Sequence, residues 1–217
     1  MKLINLNNSP YASRVRIQIR QKKLPVELVS STIPLRTAEF AAAYPLAKLP
    51  VLELDSGETI GESTIIMDYL EAIYPEPALI PDTALARANN AMLVRYADNH
   101  LAPALFPLFA LLLGAGEGVD PQAQVAAVEA ELAKLERLLA AQPDITGRSL
   151  QTGDICLATV LWYVIALLAE FGRDDILRDY PGGAAWWQWV NNYAAVASTL
   201  DEMAAAHEAV MEQIRGS

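Results

Sequence analysis

The sequence predicts a small α/β domain followed by an all-α domain. Three observations carry that expectation. Residues 1–80 hold eight Lys and Arg against nine acids, while the remainder holds eight against seventeen. Texture changes at the same place, from short alternating pieces broken by turn residues to long Ala- and Leu-rich stretches with helical period. Between them stands Pro75-Glu76-Pro77-Ala78-Leu79-Ile80-Pro81, whose three prolines read as a linker. These features set a first domain at 1–78, a linker at 79–85 and a helical-bundle domain at 86–217.

Each element has a local reason. Lys2 to Asn7 alternates like a short strand and stops at Asn8-Ser9-Pro10. Tyr11 to Lys22 sets Val15, Ile17 and Ile19 among arginines and fits a helix, broken at Leu24-Pro25. Val26 to Val29 is a second strand, and Thr37 to Ala43 a short helix ended by Pro45. Val51 to Leu54 and Glu58 to Ile60 flank Asp55-Ser56-Gly57, a hairpin turn signal. Ser63 to Tyr74 carries Ile65, Ile66, Tyr69, Leu70 and Ile73 at helical spacing. The order is β-α-β-α-β-β-α. Beyond the linker the expected helices are Thr83 to Leu113, bent near Pro103 and Pro107, then Pro121 to Ala141, Thr152 to Glu170, Trp186 to Asn192 and Ser198 to Ile214.

Composition narrows the function. The chain has 217 residues, 53% hydrophobic and 19% charged, which excludes a disordered or charge-solvated scaffold. A net charge of -10 argues against nucleic acid and against an anionic membrane as partners. One cysteine, Cys156, excludes a disulfide framework and a cysteine-rich zinc site. The start, MKLINLNNSPY, is short and polar for a signal peptide, and the apolar run Ile155 to Ala169 is shorter than the roughly 20 residues of a bilayer span. The expectation is a cytoplasmic, globular protein.

Several fragments carry no chemistry. Gly114-Ala115-Gly116-Glu117-Gly118 lacks dinucleotide spacing, and His207-Glu208 has no second histidine four residues on. His100 and His207 lack ligand-like neighbours, so no metal site is expected. Cys156 sits on the most apolar helix and reads as packing.

Three segments do more. Ser9-Pro10-Tyr11 puts a hydroxyl where a first strand meets a first helix, beside backbone N–H donors suited to an anion such as a thiolate; Ser9 equally suits an ordinary N-cap. In Lys48-Leu49-Pro50-Val51-Leu52 a proline opens a strand. A cis Leu49–Pro50 bond would leave the Leu49 backbone to pair with an extended peptide, and a trans edge-strand start is the alternative. In Gly61-Glu62-Ser63-Thr64, Ser63 is placed to cap a helix whose N-terminus could receive a carboxylate, with Glu62 outside for an ammonium. A group with both charges is an amino-acid end.

In order and context these segments resemble the glutathione transferases. Pro50-Val51-Leu52 and Glu62-Ser63-Thr64-Ile65-Ile66-Met67-Asp68-Tyr69-Leu70 are similar to that family's P-V-L and E-S-x-x-I-x-x-Y-L stretches, and Ser9-Pro10-Tyr11 to the tau-class start. The resemblance spans essentially the whole chain. It implies a thioredoxin-like first domain that binds glutathione as co-substrate, without metal, and an all-α domain that lines the pocket of a hydrophobic electrophile. Ser9 would hydrogen-bond the sulfur. Arg36 and Lys48 would address the glycine carboxylate, Leu49 and Pro50 the cysteinyl backbone, Glu62 and Ser63 the γ-glutamyl end. Tyr11 is a second candidate hydroxyl or a pocket wall. Tyr96, Asn99, His100, Pro103 and Phe106 are pocket candidates by helical spacing, each equally suited to face the core. The resemblance also implies a homodimer. A glutathione-dependent isomerase, lyase or peroxidase, or a non-catalytic binding protein of the same fold, is the alternative. Tyr44 and Gln151 depart from the family pattern, which has Asn and Ser or Thr there.

Overall fold

A computed structural model describes residues 1–142 and 145–216. They form two compact units, one of Met1–Leu79 with the chain from Ala197 onward, the other Ile80–Val196. The expected end of the second domain at 217 lies outside the described residues.

In the first unit four strands, β1 (Lys2–Ile4), β2 (Glu27–Val29), β3 (Val51–Glu53) and β4 (Thr59–Gly61), form one sheet in the order β2-β1-β3-β4. β1 and β2 run parallel, joined through helix α1 (Pro10–Lys22); β3 is antiparallel to β1 and to β4. β1 stops earlier than expected because Ser9 N–H donates to Leu6 O at 3.0 Å, closing a turn over Asn7 and Asn8. Ile4, Phe40, Tyr44 and Val51 are buried together, with Leu49 packed against them, so helix α2 (Ala38–Ala43) closes over the sheet. Tyr44 fits this core because its hydroxyl reaches Glu53 Oε1 at 3.1 Å.

Helix α3 (Ser63–Ile73) packs on α1. Lys22 is buried there and is paired with Glu71 at 2.9 Å; its Nζ also donates to Pro77 O at 2.5 Å. Glu71 in turn accepts the Leu79 N–H at 2.7 Å. The proline-rich stretch is therefore tied down by a buried ion pair up to Leu79, where the sequence suggests only a linker.

Helix α9 runs over Ala194–Arg215. The sequence assigns all of it to the all-α domain, yet from Ala197 onward it packs with the first unit. Thr199, Glu202 and Met203 supply the reason, since all three meet polar groups of α1.

Among the described residues the regular elements of the second unit are all helical: α4 (Ala84–Tyr96), a five-residue π-turn (Ala97–Leu101), α5 (Ala102–Leu112), α6 (Pro121–Ala140), α7 (Thr152–Glu170), a 3-10 turn (Ile176–Asp179) and α8 (Pro181–Val190). Where a bend is expected near Pro103, the helix instead changes pitch just before it, with Ala102 N–H reaching back five residues to Ala97 O. A proline ring at 103 crowds the carbonyl four residues earlier, and the wider π spacing relieves that crowding. Pro107 lies inside α5. α7 is long and apolar enough to cross a membrane by composition, and 78% of that stretch is buried inside the fold as its central helix. Its start is held by Asp154, which accepts from Gln151 N–H at 2.9 Å, from Arg148 at 2.6 and 2.9 Å and from Trp186 Nε1 at 3.1 Å. The carboxylate half of the cap thus has several donors, and Gln151 at the N-cap costs little. α8 begins five residues earlier than expected because Glu136 of α6 accepts the Gly182 and Gly183 N–H groups at 2.7 and 2.8 Å.

Candidate functional site

The sheet register brings the three candidate segments together. Ile4 pairs with Val51, and Val51 with Gly61. The end of β1, the start of β3 and the end of β4 therefore lie side by side. The residues after β1 (Asn5 to Ser9), before β3 (Leu49 and Pro50) and after β4 (Glu62 and Ser63) all emerge at one end of the sheet.

Ser9 is the N-cap of α1, with extended backbone at φ -82°, ψ 121°. Its Oγ accepts the Ala12 N–H at 3.2 Å. The hydroxyl proton has no acceptor among the described residues, so Ser9 caps the helix and can still donate. The capping role and the chemical role expected for Ser9 use different faces of one hydroxyl. Tyr11, half-buried one residue into the helix, lies with its ring 4.7 Å under the Arg14 guanidinium.

The Leu49–Pro50 bond is cis, as expected, and so is Glu76–Pro77, which no motif in the sequence signals. Pro50 is buried and opens β3; Leu49 makes no backbone hydrogen bond among the described residues. Ser63 is not the cap of α3. It is the first helical residue, and Glu62 is the N-cap, at φ 65°, ψ 119° and without a side-chain bond. With a single residue between β4 and α3 the chain must reverse at Glu62, which forces the positive φ. The first N–H groups of α3 are left without a side-chain cap, and the Ser63 hydroxyl, on a residue 5% exposed, has no partner among the described residues. An uncapped helix N-terminus beside a buried hydroxyl is a receptive place for a carboxylate. Arg36 (φ 62°) and Lys48 are both exposed in the connections of the same unit.

The turn that carries Ser9 is held by groups that no sequence motif singles out. Arg16, 1% exposed, donates through Nη2 to Asn7 O at 2.9 Å and to Ser13 Oγ at 2.9 Å, and through Nη1 to Asn7 Oδ1 at 3.1 Å and Glu202 Oε2 at 2.6 Å. Ser13 Oγ donates to Ser9 O at 2.8 Å. Burial pulls the Arg16 pKa below its ordinary value, and the Glu202 carboxylate counteracts that pull. The one signal in the sequence is an arginine set between Val15 and Ile17 on a helix whose neighbours are buried.

The five pocket candidates lie in the second unit. Tyr96 takes the core-facing alternative: it is 3% exposed and its hydroxyl donates to Glu131 O at 2.6 Å. His100 stacks on it at 5.6 Å and 11°, and the two line a groove of about 350 Å³ with Met92, Arg95, Arg137 and Leu138. Asn99, Pro103 and Phe106 are exposed. Among the described residues no cluster of His, Cys, Asp or Glu could hold a metal ion, and Cys156 is buried.

Known proteins share the two-part organisation of this chain. Residues 3–78 match the family "Glutathione S-transferase, N-terminal domain" and residues 84–192 match "Glutathione S-transferase, C-terminal domain". A protein of Oryza sativa subsp. japonica named a probable glutathione S-transferase is 30% identical over 198 residues, covering 86% of this chain and 82% of its own length. A maleylacetoacetate isomerase of Pseudomonas aeruginosa is 37% identical over 95 residues, 42% of this chain and 45% of the isomerase. The crystal structure of a glutathione S-transferase from Methylobacillus flagellatus with glutathione bound superimposes at a TM-score of 0.74, with 27% identity, over 91% of this chain and 98% of that one. One from Methylobacterium radiotolerans, in complex with glutathione sulfonate, gives 0.73 at 28% identity over 92% and 93%.

Proposed function

Because the chain belongs to the glutathione S-transferase family, we propose that it binds glutathione at the sheet end of its first unit and delivers the thiolate to a hydrophobic electrophile. The observation that carries this reading is the hydroxyl of Ser9, which caps α1 through its oxygen and keeps its proton for a sulfur anion.

The chemistry rests on ionisation. A thiol of pKa near 8.5 is only about 3% thiolate at pH 7. Lowering that pKa by about two units is worth roughly 2.7 kcal/mol and makes it mostly ionised. The proton leaves to solvent. The sulfur then forms the bond to carbon, and the leaving group departs with its electron pair. Around this event, the free N–H groups of α3, with Ser63, receive the γ-glutamyl carboxylate and Glu62 its ammonium. Leu49 pairs with the cysteinyl backbone, and Arg36 and Lys48 face the glycine carboxylate.

A second reading, glutathione-dependent isomerisation, is favoured by the similarity to the maleylacetoacetate isomerase. The two differ in what becomes of glutathione: conjugation consumes it, and isomerisation returns it. Titrating free thiol while screening electrophiles and cis-unsaturated acids decides between them. A thiolate absorbance of bound glutathione at neutral pH supports both against a non-catalytic binding protein, and its absence sinks both.

The reading includes a homodimer in the cytoplasm. What supports pairing is exposed apolar side chains on one helix of each unit, Ile65 and Ile73 on α3 and Leu85 and Met92 on α4. A mass of one chain by light scattering at micromolar concentration would count against it.

A further inference from the structure

We propose that Arg16 is a positioning residue for the turn that carries Ser9, and that Glu202 on α9 holds Arg16 in place. The inference rests on the reading of Ser9 as the thiolate's donor.

The geometry is specific. The turn from Leu6 to Ser9 leaves the Asn7 carbonyl outside the helix ladder and ends on the Ser9 carbonyl, which already accepts the Ser13 N–H at 3.0 Å, and side-chain bonds tie both to one guanidinium. Asn7 O accepts directly from Arg16 Nη2, while Ser9 O accepts from Ser13 Oγ, which itself accepts from the same Nη2. Asn7 Oδ1 takes Nη1. A planar fork of donors can hold the two Asn7 acceptors of the turn and Ser13 Oγ of the helix at fixed angles, which a lysine ammonium on a flexible stem cannot do. Arg16 lies nearly two turns down α1 from Ser9, so it fixes the direction in which the chain enters the helix. It also fixes where the Ser9 hydroxyl points.

A guanidinium buried to 1% needs a counter-charge, and Glu202 is it, at 2.6 Å. Glu202 is in turn set by Arg20, which reaches both its oxygens at 2.7 and 2.8 Å and also bonds Thr199 Oγ1 at 2.7 Å. The last helix of the chain is thereby coupled to the reactive hydroxyl through two side chains. A merely structural ion pair would tie α9 to α1 through Arg20 alone and leave Arg16 free of the turn.

Four variants test this: Arg16→Lys and Glu202→Gln, with Ser9→Ala as the reference for the chemistry and Ile19→Val as the control that thins the α1 core without touching the turn. Two readouts are needed, the pH profile of the glutathione-dependent rate and amide hydrogen exchange at Ser9 and Ser13. The expected result is that Arg16→Lys and Glu202→Gln speed exchange at those amides at least tenfold and move the profile upward by about half the shift of Ser9→Ala, with the KM for glutathione changed less than threefold. Ile19→Val should lower the melting temperature and move neither. If Ser9→Ala moves the profile but Arg16→Lys and Glu202→Gln do not, the positioning role is overturned while the reading of Ser9 stands. If Ser9→Ala leaves the profile unmoved, that reading fails and the exchange data alone judge whether Arg16 holds the turn; unchanged exchange overturns it.

Discussion

Ala12 donates its amide to Ser9 Oγ at 3.2 Å, so the oxygen expected to serve the sulfur is already an acceptor before any ligand arrives. That bond aims the hydroxyl's remaining proton away from the helix. It also means that removing the hydroxyl does two things at once.

Ser9→Ala should raise the pKa of bound glutathione. A charge-assisted hydrogen bond is worth roughly 1.5–3 kcal/mol, or about one to two pKa units. The thiolate is the favoured form in its presence, so its loss should cut the rate at pH 7 roughly ten- to hundred-fold, with partial recovery as pH rises. The lost cap should cost about 1 kcal/mol of stability in addition. Tyr11→Phe should leave the pH profile in place and alter the preference among electrophiles. The opposite pattern in the two variants would assign the activation to Tyr11.

Glu62→Gly should separate stability from binding. A non-glycine residue at φ 65°, ψ 119° carries strain of about 1–3 kcal/mol, and glycine removes most of it at an entropic cost of about 0.5–1 kcal/mol. The variant should therefore melt at the same or a higher temperature. Its KM for glutathione should rise severalfold, because the proposed partner of the ammonium is gone. Denaturation and steady-state kinetics on one preparation check both halves, and a lower melting point with unchanged KM would refute both.

The order of the elements and the three candidate segments that meet at one end of the sheet are legible in the sequence because apolar period and turn residues are local signals. Pro50, Gly61 and Ser63 mark their boundaries within a few residues. The features that escape are set by partners far along the chain. Glu136 starts α8 from another helix, Lys22 and Glu71 tie down Pro77, and Arg16 meets Glu202 from 186 residues away. Such polar partners leave no periodic trace. Tyr96 shows the same limit: helical spacing leaves it free to face pocket or core, and the carbonyl of Glu131 decides for the core.

Gly153→Ala should be among the most damaging small substitutions in the second unit. A Cβ there would stand 2.5 Å from Asn90 O, a backbone atom of α4 that cannot swing aside. Gly153 N–H also donates to Asn90 Oδ1 at 2.6 Å, and Asn90 Nδ2 to Thr152 Oγ1 at 2.8 Å, so separating the helices breaks a buried network. Overpacking alone costs about 1–3 kcal/mol, and the unpaired amide groups add to it. Urea denaturation that showed a loss below about 1 kcal/mol would mean the two helices can part without penalty.

The buried tyrosines set the alkaline limit of stability. Burial raises the pKa of Tyr96, with the Glu131 carboxylate adding to it, and burial likewise raises that of Tyr163. In the unfolded chain both ionise near 10, the ordinary value. Below that pH both states are neutral and the stabilisation is fully present. Above it the unfolded state loses protons that the folded state retains, so stability falls as pH rises past about 10. Each ionised tyrosine adds to the slope. Tyr163→Phe should remove part of that fall. Tyr96→Phe should remove a similar part and cost about 1 kcal/mol at pH 7, because the hydroxyl's bond to the Glu131 carbonyl is lost. Urea midpoints measured from about pH 7 to 11 give both quantities. Parallel curves for wild type and the two variants above about pH 10 would show that neither phenol governs the alkaline transition.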